Sequence, residues 1–495
     1  MDRATRRPAA ELPPVLGLFD VTMIVMGCII GAGCFRTPSA IAQQVGSLGG
    51  ILAVWGIGGI VALTGALVFA ELAAMFPRTG GQYVFVREPF GRFPAFLFGW
   101  VLLAAIVSNA VAFVAGVFAE HLELLLSRMW GVDFAPLGRG AVPLLQACAD
   151  LSDGHAVGAS EAGRKVIAFT LVVALAWLNI RGMRLGATVQ NVAMVAKIAG
   201  ILTVIALGIV AVARGDAFPD DGAAAPAPRG WRQTLGAYSA AMFGVMFTYG
   251  GWQNVAAVGS EVRRPARTLP IGILLGTGGV VLLYLAMNAS LVAVLGADGV
   301  ARSNTPTADA AGRVLPHGDL LVAALVMTST FAITQVLLLV TPRIYFAMAR
   351  DGLFFRRVGT THPRFGTPAV AIALQAGATV VHLLLGSMLD LLQLTTLFDW
   401  LAFSACGIGL FVLRRRRPDA PRPYRAAGYP WLPGLFLALS LWIFVAHLFE
   451  AEAAALRRGA VVFGLGLLLY AFFRRSEAST GPRNQAPEPP YGPVE

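Results

Sequence analysis

Residues 29–38 read Ile-Ile-Gly-Ala-Gly-Cys-Phe-Arg-Thr-Pro, and residues 247–254 read Phe-Thr-Tyr-Gly-Gly-Trp-Gln-Asn. Both stretches interrupt long apolar segments. Glycines remove side-chain bulk and permit positive φ, so each stretch predicts a helix that unwinds and presents unpaired N–H and C=O groups. Irregular backbone inside a bilayer is tolerated only where it lines a cavity or is buried in protein. We therefore expect the two breaks to mark the functional site.

The composition supports a membrane protein. The 495 residues are 57% hydrophobic and 13% charged, whereas about 25% charged residues is typical of soluble proteins. These values exclude a soluble enzyme and an intrinsically disordered chain. The net charge of +11 comes from short clusters between apolar runs. The clusters lack the interleaved aromatic residues of a single-strand nucleic-acid groove, so we expect no nucleic-acid partner.

Twelve apolar stretches are long enough to cross a hydrocarbon core of about 30 Å as helices. They cover approximately residues 15–44, 49–76, 93–126, 165–180, 187–213, 237–260, 270–297, 319–349, 367–386, 389–413, 429–449 and 456–473. The first run is too long for a cleavable signal peptide. The sequence therefore predicts an all-α protein embedded in the lipid bilayer with twelve transmembrane helices.

The loops predict an orientation. Arg and Lys accumulate on the cytoplasmic side of membrane proteins, and 24 of the 36 Arg lie on the side that holds both termini. Both termini are thus expected in the cytoplasm, with the protein integral to the plasma membrane, the inner membrane of a bacterium. We expect a polar arm over 1–14, one membrane domain over 15–475 and a disordered tail over 476–495, rich in Pro, Gly, Ser and Glu.

The cysteines give no disulfide framework. Cys28, Cys34 and Cys406 lie in apolar spans, and only Cys148 lies in an external loop. A free loop cysteine is the expectation, and a covalently linked partner subunit is not.

The two breaks fall at matching places. They lie in the first and sixth helices, which are equivalent positions if residues 15–213 and 237–413 form two five-helix halves of inverted topology, followed by two extra helices. Glycine-interrupted segments at matching positions of two halves indicate the midplane site of a secondary transporter. Taken singly, each motif would more simply be helix packing through small residues, but the matched positions favour a site.

Lys197 is the second strong signal. Of 38 basic residues only Lys165 and Lys197 are lysines, and Lys197 lies near the middle of the fifth span. An ionisable residue there is a candidate functional residue. Its helical face carries Gln190, Ala193 and Gly200, which suits contact with another helix rather than lipid. The amine is expected to act as a fixed cation or a proton site; the alternative is a lysine that only tethers helices through carbonyl groups.

Other charged residues have more than one interpretation. Asp399 lies near the middle of the tenth span, so it is expected to face a cavity or to pair with a cation. Arg36 lies just outside the first break and either attracts an anionic group or pairs with an acid. Glu71 and Glu261 lie near helix ends beside Arg-rich loops and are expected to form gate or structural ion pairs.

Tyr249 and Trp252 lie in the second break, where they either wall a pocket or pack between helices.

These motifs resemble those of the amino acid-polyamine-organocation superfamily, and most closely its L-type amino acid transporter branch. Three segments carry the resemblance over about residues 15 to 425: residues 30–35 with Thr37-Pro38, residues 247–252 with Glu261, and residues 191–197. The resemblance implies the inverted-repeat fold, with helices 1 and 6 broken at the midplane around the site.

The resemblance also implies how a substrate is bound. The carboxylate would meet N–H groups around Ala32, Gly33 and Cys34, and the ammonium would meet carbonyl groups near Ile29, Ile30 and Phe247. Phe247 would act as an outer gate and Gly250 would leave room for the substrate side chain. The candidate substrate-binding residues are Ile29, Ile30, Gly31, Ala32, Gly33, Cys34, Phe247, Thr248, Tyr249 and Gly250.

Lys197, Asp399 and Glu261 are the candidate coupling or conformational residues. By the resemblance, the Lys197 amine takes the place of the metal ion that bridges helices 1 and 8 in sodium-coupled relatives. No Na⁺ coupling, metal or cofactor is therefore expected, whereas proton coupling stays open.

The sequence thus predicts a sodium-independent secondary transporter of α-amino acids, neutral ones first, that exchanges substrates or imports them with protons by alternating access. The alternative is a carrier of cationic amino acids or polyamines that relies on Asp399. A membrane receptor that binds without transport is a third hypothesis. An enzyme is not expected, because the six His show no metal-ligand spacing and no buried nucleophile–base pair is evident.

Overall fold

The computed structural model describes residues 12–150, 156–215, 230–385, 390–450 and 453–479. Regular secondary structure in these residues is helical, apart from two isolated β-bridges that pair Leu16 with Val262 and Thr79 with Val258. Most of the predicted arm over 1–14 and of the predicted tail over 476–495 lies outside the described residues.

The described residues form nineteen α-helices. In chain order the described α-helices are α1 (Leu18–Ile29), α2 (Gly33–Val45), α3 (Leu48–Met75), α4 (Gln82–Phe90), α5 (Arg92–Val101), α6 (Ser108–Trp130), α7 (Ala135–Gly138), α8 (Val142–Asp150), α9 (Ala159–Ile180), α10 (Met183–Arg214), α11 (Trp231–Tyr249), α12 (Pro265–Arg302), α13 (Pro306–Val314), α14 (Gly318–Val340), α15 (Pro342–Arg350), α16 (Ala369–Leu385), α17 (Asp390–Arg416), α18 (Trp431–Glu450) and α19 (Ala453–Ser479). A π-helical segment, Leu102–Val107, joins α5 to α6, and 3₁₀ turns occupy Trp252–Ala257, Gly259–Glu261 and Arg356–Gly359.

Membrane-length helices dominate the fold. Within the described ranges, eight helical segments are long and apolar enough to span a bilayer, and α1 with α2 forms a ninth if the bent pair is one span. Two shorter apolar helices, Ala369–Leu385 and Gly459–Arg474, lie where the ninth and twelfth spans are predicted. The sixth predicted span is divided between α11 and the 3₁₀ turns that follow it. The protein is an integral membrane protein, and the count of twelve stays a prediction.

Helix α1 lies at the centre of the bundle. Val21, Ile24 and Val25 are fully buried, and α1 packs against α10, α12 and α14. The approach to α12 is close, because a Cβ at Gly276 would lie 2.6 Å from Cγ1 of Val25. Small residues let membrane helices approach in this way. The packing therefore fixes the first predicted break in the interior.

A cluster of aromatic rings fixes the end of α11. The ring centroid of Trp55 in α3 lies 5.7 Å from that of Tyr249 and 5.3 Å from that of Tyr284 in α12. The two tyrosine rings are 5.2 Å apart. Edge-to-face aromatic pairs of this kind contribute roughly 0.5–1.5 kcal/mol beyond burial. The cluster thus holds the residue that precedes the second predicted break.

Candidate functional site

The first break separates α1 from α2. Helix α1 ends at Ile29, Ile30 is extended with φ −76° and ψ 99°, and α2 begins at Gly33. The two helix axes differ by 46°. The first N–H groups of a helix have no intrahelical partner and carry the positive end of its dipole. The start of α2 therefore offers donors to an anionic group.

The second break follows α11. Gly250 is extended, and Gly251 has φ 127°, a backbone conformation that side-chain-bearing residues rarely adopt. The chain continues as the 3₁₀ turn Trp252–Ala257. The Gly251 N–H donates to Oε1 of Gln253 at 3.1 Å. In a continuous α-helix this N–H would donate to the carbonyl of Phe247, four residues earlier. Instead, among the described groups, that carbonyl accepts only a 3.4 Å contact from the Gly250 N–H.

The two breaks abut each other. A Cβ at Gly251 would overlap the backbone carbonyl of Cys28, so glycine is required for the contact. On the other side of the breaks, the hydroxyls of Thr37 and Thr248 lie 3.0 Å apart. Residues from distant parts of the chain are thus held together at the places where both helices are interrupted.

A cavity of about 170 Å³ lies between the breaks. Drug-sized ligand pockets measure about 300–1,000 Å³, so this cavity suits a small solute. The π-helical segment and α6 supply an apolar wall that includes Ile106 and Phe113, and α14 contributes Ile333. Trp400 and Phe403 of α17 close the remaining side.

Seven of the ten candidate substrate-binding residues line this cavity: Ile29, Gly31, Ala32, Gly33, Phe247, Thr248 and Gly250. The side chains of the other three point elsewhere. Tyr249 is buried in the aromatic cluster and donates from its hydroxyl to the Trp55 carbonyl at 3.2 Å. The Cys34 thiol contacts the Gly31 carbonyl at 3.1 Å, and Ile30 is buried. Of the two interpretations of Tyr249, the structure favours packing, because its ring fills the space between α3 and α12 and does not line the cavity.

Lys197 reaches the first break from α10. The side chain is fully buried, and Nζ donates to the Ile30 carbonyl at 2.6 Å. The same carbonyl accepts a 3.4 Å contact from the Ser329 hydroxyl of α14. The Tyr284 hydroxyl donates to the neighbouring Ile29 carbonyl at 3.2 Å. Two of the three carbonyls that were expected to meet a substrate ammonium, those of Ile29 and Ile30, thus already accept hydrogen bonds from the protein.

Asp399 lines the cavity from α17. None of the cationic side chains in the described ranges lies within ion-pair distance of its carboxylate. Next to it, the rings of Trp252 and Phe403 stack with centroids 5.4 Å apart. The cavity therefore carries one acidic group in an otherwise mainly apolar wall.

Glu261 lies away from the cavity in a buried ion pair. Its carboxylate accepts hydrogen bonds of 2.8 Å from Nε and 3.2 Å from Nη2 of Arg343 in α15, and both side chains are buried. The Glu261 carbonyl also accepts the N–H groups of Val15 at 2.8 Å and Leu16 at 2.9 Å. The segment before α1 is thereby tied to the end of the second break.

Glu71 is also paired on the Arg-rich side of the molecule. Its buried carboxylate accepts 2.9 Å from Arg414 Nε and 2.7 Å from the Ala426 N–H, and Arg422 lies 3.4 Å away. Arg36, by contrast, is exposed, and no acid in the part of the chain that the structure describes lies within ion-pair distance of it.

A third cluster joins α4 to α15 on the same side. Asp351 accepts hydrogen bonds from Arg87 and, at 2.7 Å, from the Tyr83 hydroxyl. Glu88 accepts from Arg417 at 2.9 Å. Burial raises the pKa of Glu88, but the bonds from Arg87 and Arg417 outweigh it and hold that pKa below its ordinary value. These contacts connect α4 to the end of α15 and to the segment after α17.

Sequence reasoning missed several of these residues. Arg343 could have been found, because it is a lone Arg inside the eighth apolar span. Ser329, Tyr284 and the apolar wall around Ile106 gave no such signal, since hydroxyl and apolar residues are common in membrane helices. Within the described residues, no three His, Cys, Asp or Glu side chains group as metal ligands.

A bundle of membrane-length helices with a cavity between two abutting helix breaks has the design of secondary transporters. The chain belongs to the amino acid permease family, whose sequence profile matches residues 16–472.

Similar proteins agree with that family. The human b(0,+)-type amino acid transporter 1 is 26% identical over 463 residues, which cover 94% of this chain and 88% of the relative. The serine/threonine exchanger SteT of Bacillus subtilis (strain 168) is 26% identical over 479 residues, 94% of this chain and 98% of the relative. The large neutral amino acids transporter small subunit 2 of mouse is 26% identical over 436 residues, with 86% and 76% covered.

Proposed function

We propose that the protein is a sodium-independent secondary transporter of α-amino acids that exchanges them across the membrane by alternating access. The observation that carries this proposal is the small cavity between the two abutting breaks, of which Gly251 and the Cys28 carbonyl form the contact. The family match supports it. The names of the relatives, which specify serine, threonine and large neutral amino acids, favour neutral substrates.

In this proposal both charged groups of a zwitterion are held by backbone. The carboxylate accepts from the N–H groups at the start of α2, around Ala32, Gly33 and Cys34, where the helix dipole favours an anion. The ammonium donates to the Phe247 carbonyl, which among the described groups accepts only the 3.4 Å contact from the Gly250 N–H. The Ile29 and Ile30 carbonyls already accept bonds from Tyr284 and Lys197.

Lys197 takes the role of a fixed cation. Its ammonium has three donors, of which one binds Ile30, and Ser329 of α14 approaches the same carbonyl. The amine thereby links α1, α10 and α14 at the break, where sodium-coupled proteins of the resembled fold hold a metal ion. A positive charge held in place by protein removes the need for Na⁺.

We further propose the predicted architecture of twelve spans, with halves over 15–213 and 237–413 and two extra helices, in a bacterial inner membrane. The Arg-rich side, which carries the Glu261–Arg343, Glu71–Arg414 and Arg87–Asp351 pairs, faces the cytoplasm together with both termini. We propose that these pairs close the cytoplasmic side in this conformation. The chain works without a partner subunit, a cofactor or a metal, and catalyses no chemical reaction.

Asp399 supports a second candidate, a carrier of cationic amino acids or polyamines. A carboxylate that lines the cavity without a described cationic partner would pair with a positively charged substrate side chain. It would serve equally as a proton site for neutral substrates.

A thermal-stabilisation screen of the purified protein against all amino acids and putrescine tests the proposal. A ligand at 100 times its Kd stabilises the folded state by about 2.7 kcal/mol and raises the melting temperature. We expect neutral α-amino acids to raise it. A shift with arginine and putrescine that disappears in Asp399→Asn would favour the second candidate, and no shift with any of these compounds would contradict both.

A further inference from the structure

A second cavity opens on the lipid-facing side of the bundle and is separate from the central site. It measures about 420 Å³ and lies between α5 and α19 on one wall and α17 and α18 on the other. We call it the lateral groove and define it by Phe90, Leu97, Leu401, Ala405, Leu441 and Phe463, which line it. Its lining is apolar along its length.

The groove offers nothing to a polar solute. Its only hydroxyl, that of Ser404, already donates to the Trp400 carbonyl at 2.8 Å. Leu401, Leu441 and Phe463 are about 40% exposed, at 41%, 39% and 40%, and each lies in a helix of the predicted membrane spans. Apolar side chains of this kind pack favourably against the acyl chains of lipids.

Two arginine side chains lie at one end of the groove. Phe90 and Pro94 line the end that lies at the corner between α4 and α5. There Arg416 is exposed and donates from Nη1 to the Pro89 carbonyl at 3.3 Å. Arg92, two residues before Pro94, donates from Nη2 to the Asp351 carbonyl at 2.9 Å. A guanidinium has five N–H donors, so Arg416 keeps donors for a second acceptor. Guanidinium groups bind phosphate with two parallel hydrogen bonds.

The other end of the groove reaches the wall of the central cavity. Ile106, in the π-helical segment, lines both cavities. Phe398 lines the groove, and the next residue, Asp399, lines the central cavity. Single-turn π segments within helices are frequent at functional sites. Whatever fills the groove therefore supports the wall against which a substrate rests.

We propose that the lateral groove binds an anionic phospholipid of the cytoplasmic leaflet, with an acyl chain against α5 and α17 and the phosphate at Arg416 and Arg92, and that this lipid raises the transport rate. The apolar lining fits the chain, the basic end fits the phosphate, and the shared Ile106 wall links occupancy to the central site.

Lipid binding is measured first, by native mass spectrometry of the purified protein titrated with phosphatidylglycerol or phosphatidylcholine. We expect Arg416→Gln to weaken phosphatidylglycerol binding about fivefold, equivalent to about 1 kcal/mol for one basic residue at a membrane surface. Arg184→Gln is the matched control, since Arg184 is exposed at the start of α10 on the same side. Equal losses in both variants, or equal binding of phosphatidylcholine, would overturn the proposal.

Transport is then compared in vesicles of phosphatidylcholine with and without phosphatidylglycerol. We expect the anionic lipid to accelerate uptake by the wild type. Ala405→Leu, which places three further carbon atoms in the groove, should lose that acceleration while it retains the rate in phosphatidylcholine. Acceleration unchanged in Ala405→Leu would contradict the proposal, as would cross-linking that shows a second copy of the chain in the groove. The binding experiment needs no transport, so its failure is distinguishable from failure of the proposed function.

Discussion

At the scale of single residues, the protein places one lysine where the first helix is interrupted. The bond from Lys197 to the Ile30 carbonyl is charge-assisted, short and buried. Hydrogen bonds to charged groups contribute about 1.5–3 kcal/mol. This hydrogen bond therefore contributes enough stability to hold the backbone of the break in its observed geometry.

We predict that Lys197→Ala lowers the rate of amino acid uptake into proteoliposomes by about 10- to 100-fold, the equivalent of the lost charged hydrogen bond. Lys165→Ala is the matched control. Lys165 is the only other lysine and forms a 3.4 Å ion pair with Glu161 in the first turn of α9, so its loss should leave uptake unchanged. If Lys197→Ala takes up every accepted amino acid at the wild-type rate, the role assigned to this amine is wrong.

At the scale of elements, the two breaks depend on their contact. Gly251 combines a φ of 127° with a position against the Cys28 carbonyl, so two independent reasons require glycine there. The backbone penalty alone is about 1–2 kcal/mol for an L-residue in left-handed space.

We predict that Gly251→Ala lowers the melting temperature in detergent by several degrees and abolishes ligand-induced stabilisation, because α1 must move away from the second break. Gly278→Ala in α12 is the control, since a Cβ there would meet open space. If Gly251→Ala melts and binds as the wild type does, the contact between the breaks does not hold the site.

The Glu261–Arg343 pair gives a second prediction for elements. Breaking a buried ion pair costs about 3–5 kcal/mol because it leaves an uncompensated charge. We expect Glu261→Gln and Arg343→Gln each to lower the melting temperature markedly, and the double variant to lose less than the sum of the two. Glu161→Gln, which removes a partly exposed acid, serves as the control. Additive losses would mean that the two side chains act independently.

At the scale of the whole molecule, the sequence predicted the helical membrane class and the positions of both interruptions. Glycines in apolar segments and a lone mid-span lysine are local features, which can be recognised in the sequence without knowledge of the tertiary structure. The partners were not readable. The Ile29 and Ile30 carbonyls are bonded to Tyr284 and Lys197, and Tyr249 turns towards Trp55. These contacts join residues far apart in the chain.

The continuation of the second break shows the same limit. The glycine pair predicted that the helix would unwind, but not that Trp252–Ala257 would form a 3₁₀ turn. That turn is specified by Gln253, which accepts the Gly251 N–H, and by packing of Trp252 on Phe403 of α17. Tertiary packing of this kind overrides local propensity.

The central claim is that a small zwitterion binds between the breaks and is carried across the membrane without Na⁺. Counterflow tests it most directly: purified protein in Na⁺-free proteoliposomes is preloaded with an unlabelled amino acid that raises its melting temperature, and entry of the labelled amino acid is followed. We expect rapid labelled uptake that depends on the preload and falls at least tenfold in Lys197→Ala. Binding without flux, or flux that appears only with a Na⁺ gradient, would contradict it.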